Sequence, residues 1–135
     1  MLCRPTLLVA ILWLSIQTIS AETRFAAFWN KFRSAAVRSD QPAIAEMTKF
    51  PFSFYSSHIK GRAEFLRRYG EIFKGEADAA KCFAGAEPRK DSARSYSVYC
   101  SFKETPNDRE NAPIRFIFEL TGSGWKFAGL DNINE

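Results

Sequence analysis

The residues best placed to do chemistry are polar groups carried on otherwise apolar runs. From Pro113 to Ile133 (PIRFIFELTGSGWKFAGLDNI), two aromatic runs flank Gly122-Ser123-Gly124. That is the pattern of a β-hairpin. On the first run Ile114, Phe116, Phe118 and Leu120 alternate with Arg115, Ile117 and Glu119. On the second, Trp125, Phe127 and Gly129 alternate with Lys126, Ala128 and Leu130. Arg115 and Glu119 therefore share one strand face, with Tyr99 and Lys126 as candidate cross-strand neighbours. Such a cluster could orient a ligand at the mouth of an apolar cavity. The plainer alternative is a solvated sheet face with paired charges. Asp131 and Asn132, at the end of the last run, could hydrogen-bond a ligand at a rim or simply cap a turn. Tyr55, Tyr99, Arg115 and Asp131 are thus the candidate ligand-binding residues, and no residue is assigned a catalytic role.

The chain carries no Gly-x-Ser-x-Gly, phosphate-cradling glycine loop or His-Glu-x-x-His. Hydrolase, nucleotide and zinc-protease readings therefore gain nothing. The one histidine, His58, stands beside Lys60, where a solvated surface histidine is the plain expectation. With no Cys-x-x-Cys and a single histidine, a zinc site lacks ligands. No metal and no cofactor is expected.

The elements that must position these groups begin after a leader. Met1 to Arg4 carries one positive charge, Leu7 to Ile16 is apolar, and Gln17 to Ala21 is more polar and ends in Ser20-Ala21. This matches a secretory signal peptide over residues 1–21, with cleavage expected after Ala21. The competing reading, an uncleaved anchor, needs roughly 20 apolar residues, more than this run supplies. The expectation is a secreted protein without a stable membrane span, periplasmic if the source is a Gram-negative bacterium. Residues 22–135 then form one domain. Cleavage removes Arg4 and no acid, so the net charge falls from +4 to +3. Charges of both signs are spread along the chain, which argues against a nucleic-acid surface. Cys3 leaves with the leader, and Cys82 and Cys100 remain as an expected disulfide in an oxidising compartment.

All 13 phenylalanines lie beyond the leader. Phe25, Phe28, Trp29, Phe32, Ala35 and Ala36 mark one face of a helix over Thr23 to Arg38. Ser39-Asp40 caps a short second helix, Ala43 to Lys49, with Pro42 in its first turn. Phe50, Phe52 and Phe54 mark a strand over Phe50 to Ser57, placed at a sheet edge because it contains Pro51. Arg62 to Phe73 returns to helical spacing, and Arg67-Arg68 reads as its solvated face. Lys81 to Ala84 is open between a helix end and a short strand. If it is a strand pairing back across the polar turn Glu87 to Ser92, the disulfide staples a hairpin. Arg94 to Lys103 is a strand with Tyr96, Val98, Cys100 and Phe102 on one face. Thr105 to Ala112 is a polar loop. Trp29 and Trp125 read as core. Consecutive strands with short links predict an antiparallel meander, and the helices cover its apolar face in a two-layer α+β domain.

This order, the Phe-Pro-Phe strand between the second and third helices, and the Gly-Trp-Lys-Phe of the last strand resemble the nuclear transport factor 2-like superfamily, the cystatin-like α+β cones. The resemblance spans residues 22–135 and extends to small exported bacterial members. It implies three N-terminal helices packed on a curved antiparallel sheet. Ketosteroid isomerase-like members place a carboxylate base on the first strand, but Phe50 to Ile59 has no Asp or Glu. Dehydratase-like members pair a histidine with an aspartate, and His58 stands alone. An Asp–Arg–Asp set of the epoxide hydrolase type could draw on Asp40, Arg115 and Asp131, though nothing in their spacing brings them together. The cystatin inhibitor loop, Gln-x-Val-x-Gly, is absent. The leading expectation is therefore a non-catalytic exported domain that binds a small apolar ligand or a protein partner in the cell envelope. An isomerase- or dehydratase-type enzyme built on Tyr55, Tyr99 and Asp131 is the alternative. Ile117 and Tyr99, apolar on the wet face, motivate a third reading, a homodimer through the sheet.

Overall fold

The computed structural model describes residues 19–135. Most of the expected signal peptide falls on residues 1–18 and lies outside the described residues. Among the described residues, no helix is long and apolar enough to cross a membrane.

Helix α1 (Ala21–Val37) starts where the Ser20 hydroxyl accepts the Thr23 N–H at 3.2 Å, and it buries Phe25, Trp29, Phe32, Ala35 and Ala36. Helix α2 (Gln41–Glu46) is capped by the Asp40 carboxylate, with Pro42 in its first turn. Strands β1 (Thr48–Phe54) and β2 (Ser57–Ile59) form a hairpin whose turn holds Tyr55 at φ 53°. The span expected as one helix is two, α3 (Arg62–Arg67) and α4 (Tyr69–Lys74). Arg68 interrupts it with non-helical φ and ψ, two residues before Gly70, which weakens helix continuity. The open assignment at Lys81 resolves as helix. Asp78 caps α5 (Ala79–Gly85) by accepting the Lys81 N–H at 3.2 Å.

Four strands complete the sheet: β3 (Arg89–Ser92), β4 (Ser95–Cys100), β5 (Ile114–Thr121) and β6 (Gly124–Asn132). β3 was expected as a turn. All four of its residues are exposed, so no apolar alternation marks it. The strand order is β2-β1-β6-β5-β4-β3.

That order corrects two expectations. The sheet is not a wholly antiparallel meander, because β1 pairs with β6 in parallel. The terminal hairpin inserts its last strand beside the first, a long-range pairing that short-link reasoning does not reach. β1 is therefore interior rather than an edge, with β2 outside it. Pro51 is accommodated because it lies inside the register shift between Thr48 and Ser53, where the ladder asks for no N–H.

A third correction concerns parity in β6. Phe118 opposes Phe127 while Ile117 opposes Gly129, so Ala128 is the extra residue of a β-bulge. Beyond it the faces exchange. Leu130 turns into the core, and Gly129 and Asp131 turn outward beside Ile117 and Arg115.

The Cys82–Cys100 disulfide is present with a Cα–Cα distance of 5.8 Å. It ties α5 to β4 rather than stapling a hairpin, because Cys82 lies in a helix. The space between helices and sheet is filled by aromatic rings. Phe32, Phe52, Phe65, Phe83, Phe116, Phe118 and Phe127 are all fully buried. The Phe127 ring lies 4.7 Å from that of Phe52, 5.2 Å from Phe32 and 5.4 Å from Phe118. Trp29 and Trp125 join this core.

Candidate functional site

Three of the four candidate residues come together on the outer face of the sheet. Tyr99 on β4 is directly opposite Arg115 on β5, and Arg115 is directly opposite Asp131 on β6. The Arg115 Nε donates to Asp131 Oδ1 at 3.0 Å and its Nη2 to Oδ2 at 2.5 Å. This fork-to-fork geometry is the strong form of the ion pair. Both side chains are about one-third exposed, at 34% and 32%, so solvent screens the pair only in part. The hydrogen bonds that Arg115 donates to Asp131 raise its pKa above the ordinary value, and Tyr99 adds to the effect. Arg89 of β3 extends the row, its guanidinium carbon 5.0 Å from the centre of the Tyr99 ring. Arg89 was absent from the sequence-based candidates. Its partner lies on another strand, and only the pairing of β3 with β4 reveals it.

The expected four-residue cluster splits in two. Glu119 does lie opposite Lys126, but its carboxylate pairs with Lys49 at 2.9 Å. The Lys126 ammonium donates instead to the Glu46 carbonyl at 2.9 Å. These contacts fasten β1, β5 and β6 to one another and to the end of α2.

Tyr55 lies at the rim rather than in the row. Its N–H donates to the Leu130 carbonyl at 2.8 Å, which ties the β1–β2 turn to β6. Burial pushes its hydroxyl pKa up to about 12, and the negative charges of Glu76, Glu135 and Asp131 add to that. Glu76 also accepts from the Asn132 amide at 3.2 Å, and Asn132 is one of few buried polar side chains. Asn132 therefore serves the rim, where its side-chain oxygen also accepts the Asn134 N–H. Asp40 is spent on capping α2. His58 is exposed on β2 opposite Ser53. Arg68 is engaged by Glu64 and Glu71 and lies 4.7 Å from the centre of the Phe54 ring.

Proton abstraction from carbon needs a desolvated carboxylate or imidazole. Among the described residues no carboxylate or imidazole is buried; the buried side chains that carry polar groups include Thr48, Ser97, Asn132 and the tyrosines Tyr69 and Tyr96, none of which ionises near neutrality. Among the same residues no group of three or more His, Cys, Asp or Glu side chains is gathered as for a metal ion.

Two recesses stand out among the described residues. One, of about 600 Å³, lies between α5, the end of β4 and the loop before β5. Its walls include Lys81, Arg89, Tyr99, Lys103 and Arg109. The other, of about 240 Å³, lies among α1, α2 and α4 and is lined in part by Ala36, Tyr69 and Phe73. The Tyr69 hydroxyl itself is sealed from solvent with no hydrogen-bond partner among the described residues, and burial pushes its pKa up to about 12.

No protein-family model matches the sequence, and no curated protein matches it. Solved structures do. One is a domain of unknown function with a cystatin-like fold from Nostoc punctiforme, with 16% identity and a TM-score of 0.46 over 88% of this chain and 80% of that one. An NTF-2 like protein of unknown function from Shewanella oneidensis gives 12% identity and a TM-score of 0.45 over 82% and 96%. A ketosteroid isomerase-like protein from Erwinia carotovora atroseptica gives 16% identity and a TM-score of 0.44 over 78% and 89%. The chain itself is an α+β domain of helices on a six-stranded sheet, and the solved structures it is similar to include NTF2-like and cystatin-like proteins.

Proposed function

We propose that this chain is an exported, non-catalytic binding domain that engages a protein partner in the cell envelope through its surface. The observation that carries this reading is the filled interior. Seven fully buried phenylalanines occupy the space in which an apolar ligand would otherwise sit. The polar groups that remain available lie outside it, in the row Arg89, Tyr99, Arg115 and Asp131 and in the adjoining 600 Å³ recess. A bidentate Arg–Asp pair flanked by an Arg-capped tyrosine joins planar charge to an aromatic surface, a combination enriched at protein interfaces.

Native mass spectrometry of the protein purified from its own source tests this. The expected result is a second polypeptide retained with the wild-type chain and lost from Arg115→Glu. A bare monomer at every concentration, with and without envelope extract, would count against it. A retained second copy of the same chain would identify the partner as a homodimer.

A second reading rests on Tyr69. Its unpartnered hydroxyl faces a loss of roughly 1–3 kcal/mol for burial without a hydrogen bond. The 240 Å³ recess that Tyr69 helps to line offers room for a small, mostly apolar ligand, and one that entered far enough to reach the sealed hydroxyl would satisfy it. Such a ligand would appear as a reproducible extra mass in the same spectrum and disappear from Tyr69→Phe.

A further inference from the structure

The 600 Å³ recess has three properties that point to one kind of occupant. The first is charge. Lys81, Arg89, Lys103 and Arg109 line it, and none of the four is ion-paired with an acid among the described residues. The Lys103 ammonium donates to the Lys74 carbonyl, at 3.2 Å, and Arg89 lies over the Tyr99 ring. The acids in the wall are Asp78 and Glu87, and the Asp78 carboxylate is occupied in capping α5. Four cations against these two acids leave the wall with a net positive charge, which favours an anion that can enter between the cations.

The second property is an open strand edge. The Leu120 N–H donates to the Arg94 carbonyl, which sets which β4 residues turn their backbone toward β5. With the observed register, Tyr96, Val98 and Cys100 bond to β5, while Ser95, Ser97 and Tyr99 point the other way. Ser97 meets Arg89 of β3. The position that would meet Tyr99 is Glu87, but β3 begins only at Arg89, after Pro88. Tyr99 therefore has no backbone partner on that side among the described residues, and its carbonyl has only the Cys82 sulfur nearby, at 3.7 Å. The third property is size, within the roughly 300–1,000 Å³ of ligand clefts.

We infer that this groove receives an extended acidic segment of the partner protein, which adds its backbone to the open edge of β4 at Tyr99 and sets carboxylates against Lys81, Arg89, Lys103 and Arg109. Strand addition supplies backbone hydrogen bonds, and the flanking side chains supply selectivity. The inference rests on the reading of the chain as a protein-binding domain and adds the site and the chemistry of its partner.

The test is an NMR titration of the oxidised protein with a short acetylated peptide of alternating glutamate and valine. The expected result is shifts centred on the amides of Tyr99, Lys81 and Arg109, with affinity falling as salt is raised. Lys81→Glu with Arg109→Glu should weaken binding about tenfold or more, as for loss of close charge pairs. Arg24→Glu with Lys31→Glu, on the exposed side of α1, should leave it unchanged. Lys81→Gln with Arg109→Gln gives the same comparison without adding charge, should the reversal variant fail to fold. Three results would overturn the inference: no shift at Tyr99, equal binding of the lysine-for-glutamate peptide, or equally tight binding of free glutarate, which would mark a carboxylate site with no strand addition. If the natural partner still co-purifies with the Lys81→Gln, Arg109→Gln variant, the groove inference falls and the binding-domain reading stands. If the wild type retains no partner, the binding-domain reading falls on its own.

Discussion

Arg115 and Asp131 face each other across β5 and β6 and share two hydrogen bonds, of 3.0 and 2.5 Å, because a single extra residue at Ala128 rotates the end of β6. Without that bulge the register of the hairpin's first half would set Asp131 opposite Ile114, against the core. The bulge thus moves a carboxylate from an apolar environment, where it would be costly, to a cation on the outer face.

A double-mutant cycle measures what this pair contributes. Arg115→Ala and Asp131→Ala should each destabilise the fold modestly, with a coupling of about 0.5–1 kcal/mol for a bidentate but partly exposed pair. Urea unfolding of the two single variants and the double variant provides the measurement. Strict additivity would mean that the pair is a surface coincidence.

Two of the chain's four tyrosines, Tyr55 and Tyr69, have hydroxyl pKa values pushed up to about 12, in both cases chiefly by burial. A folded-state pKa above the unfolded value near 10 means that the native state holds the proton more tightly. The associated stability is therefore present below pH 10 and lost as pH rises towards 12. Absorbance titration at alkaline pH should show two late-ionising phenols, and Tyr69→Phe should remove one of them. Ionisation of Tyr55 and Tyr69 near 10 would contradict their burial.

The Cys82–Cys100 bond closes a loop with a sequence separation of 18 and holds α5 against β4. Loop-closure entropy predicts a stabilisation of about 3 kcal/mol. Cys82→Ala with Cys100→Ala, or reduction of the wild type, should lower the unfolding midpoint accordingly. It should also loosen the groove, seen as faster amide exchange at Lys81 and Tyr99. An unchanged midpoint would show that α5 is held by Phe83 and its neighbours alone.

Close approach excludes a side chain at one glycine and crowds a second. A methyl group at Gly75 would lie 2.2 Å from the Glu71 carbonyl oxygen, and one at Gly129 would lie 3.1 Å from both Cβ and the carbonyl oxygen of Ser53. Gly75→Ala should therefore cost about 3 kcal/mol or more, and Gly129→Ala about 1 kcal/mol, in the range of overpacking strain. Thermal melts of the two variants decide the order. A reversed ranking would mean that the chain end of α4 yields more readily than the β1–β6 interface.

Much of the fold is legible in the sequence because it rests on local periodicity. The 3.6-residue spacing of Phe25, Trp29, Phe32 and Ala36 dictates α1, and the two-residue alternation from Ile114 to Leu120 dictates β5 and the face it buries. Asp40 before Pro42 is a capping pattern that the structure repeats in atomic detail. The pairing of Tyr99 with Arg115 follows once β4 and β5 are neighbours, since opposed residues in an antiparallel pair share a face. Cys82 and Cys100 are joined as their number and context suggest.

What the tertiary structure alone decided are the relationships between segments far apart in the chain. The parallel pairing of β6 with β1, the interior position of Pro51, the bulge at Ala128 and the stacking of Arg89 on Tyr99 carry no local signal. The same holds for the four cations of the groove, which come from a helix, a strand and a loop. Whether the aromatics enclose a cavity or fill it is likewise not a property of their number. It depends on how the rings interlock, and here Phe127 packs directly on Phe32, Phe52 and Phe118, with ring centres 5.2, 4.7 and 5.4 Å away. Sequence periodicity specifies which face of an element is apolar; only the packing of those faces against one another determines what space remains between them.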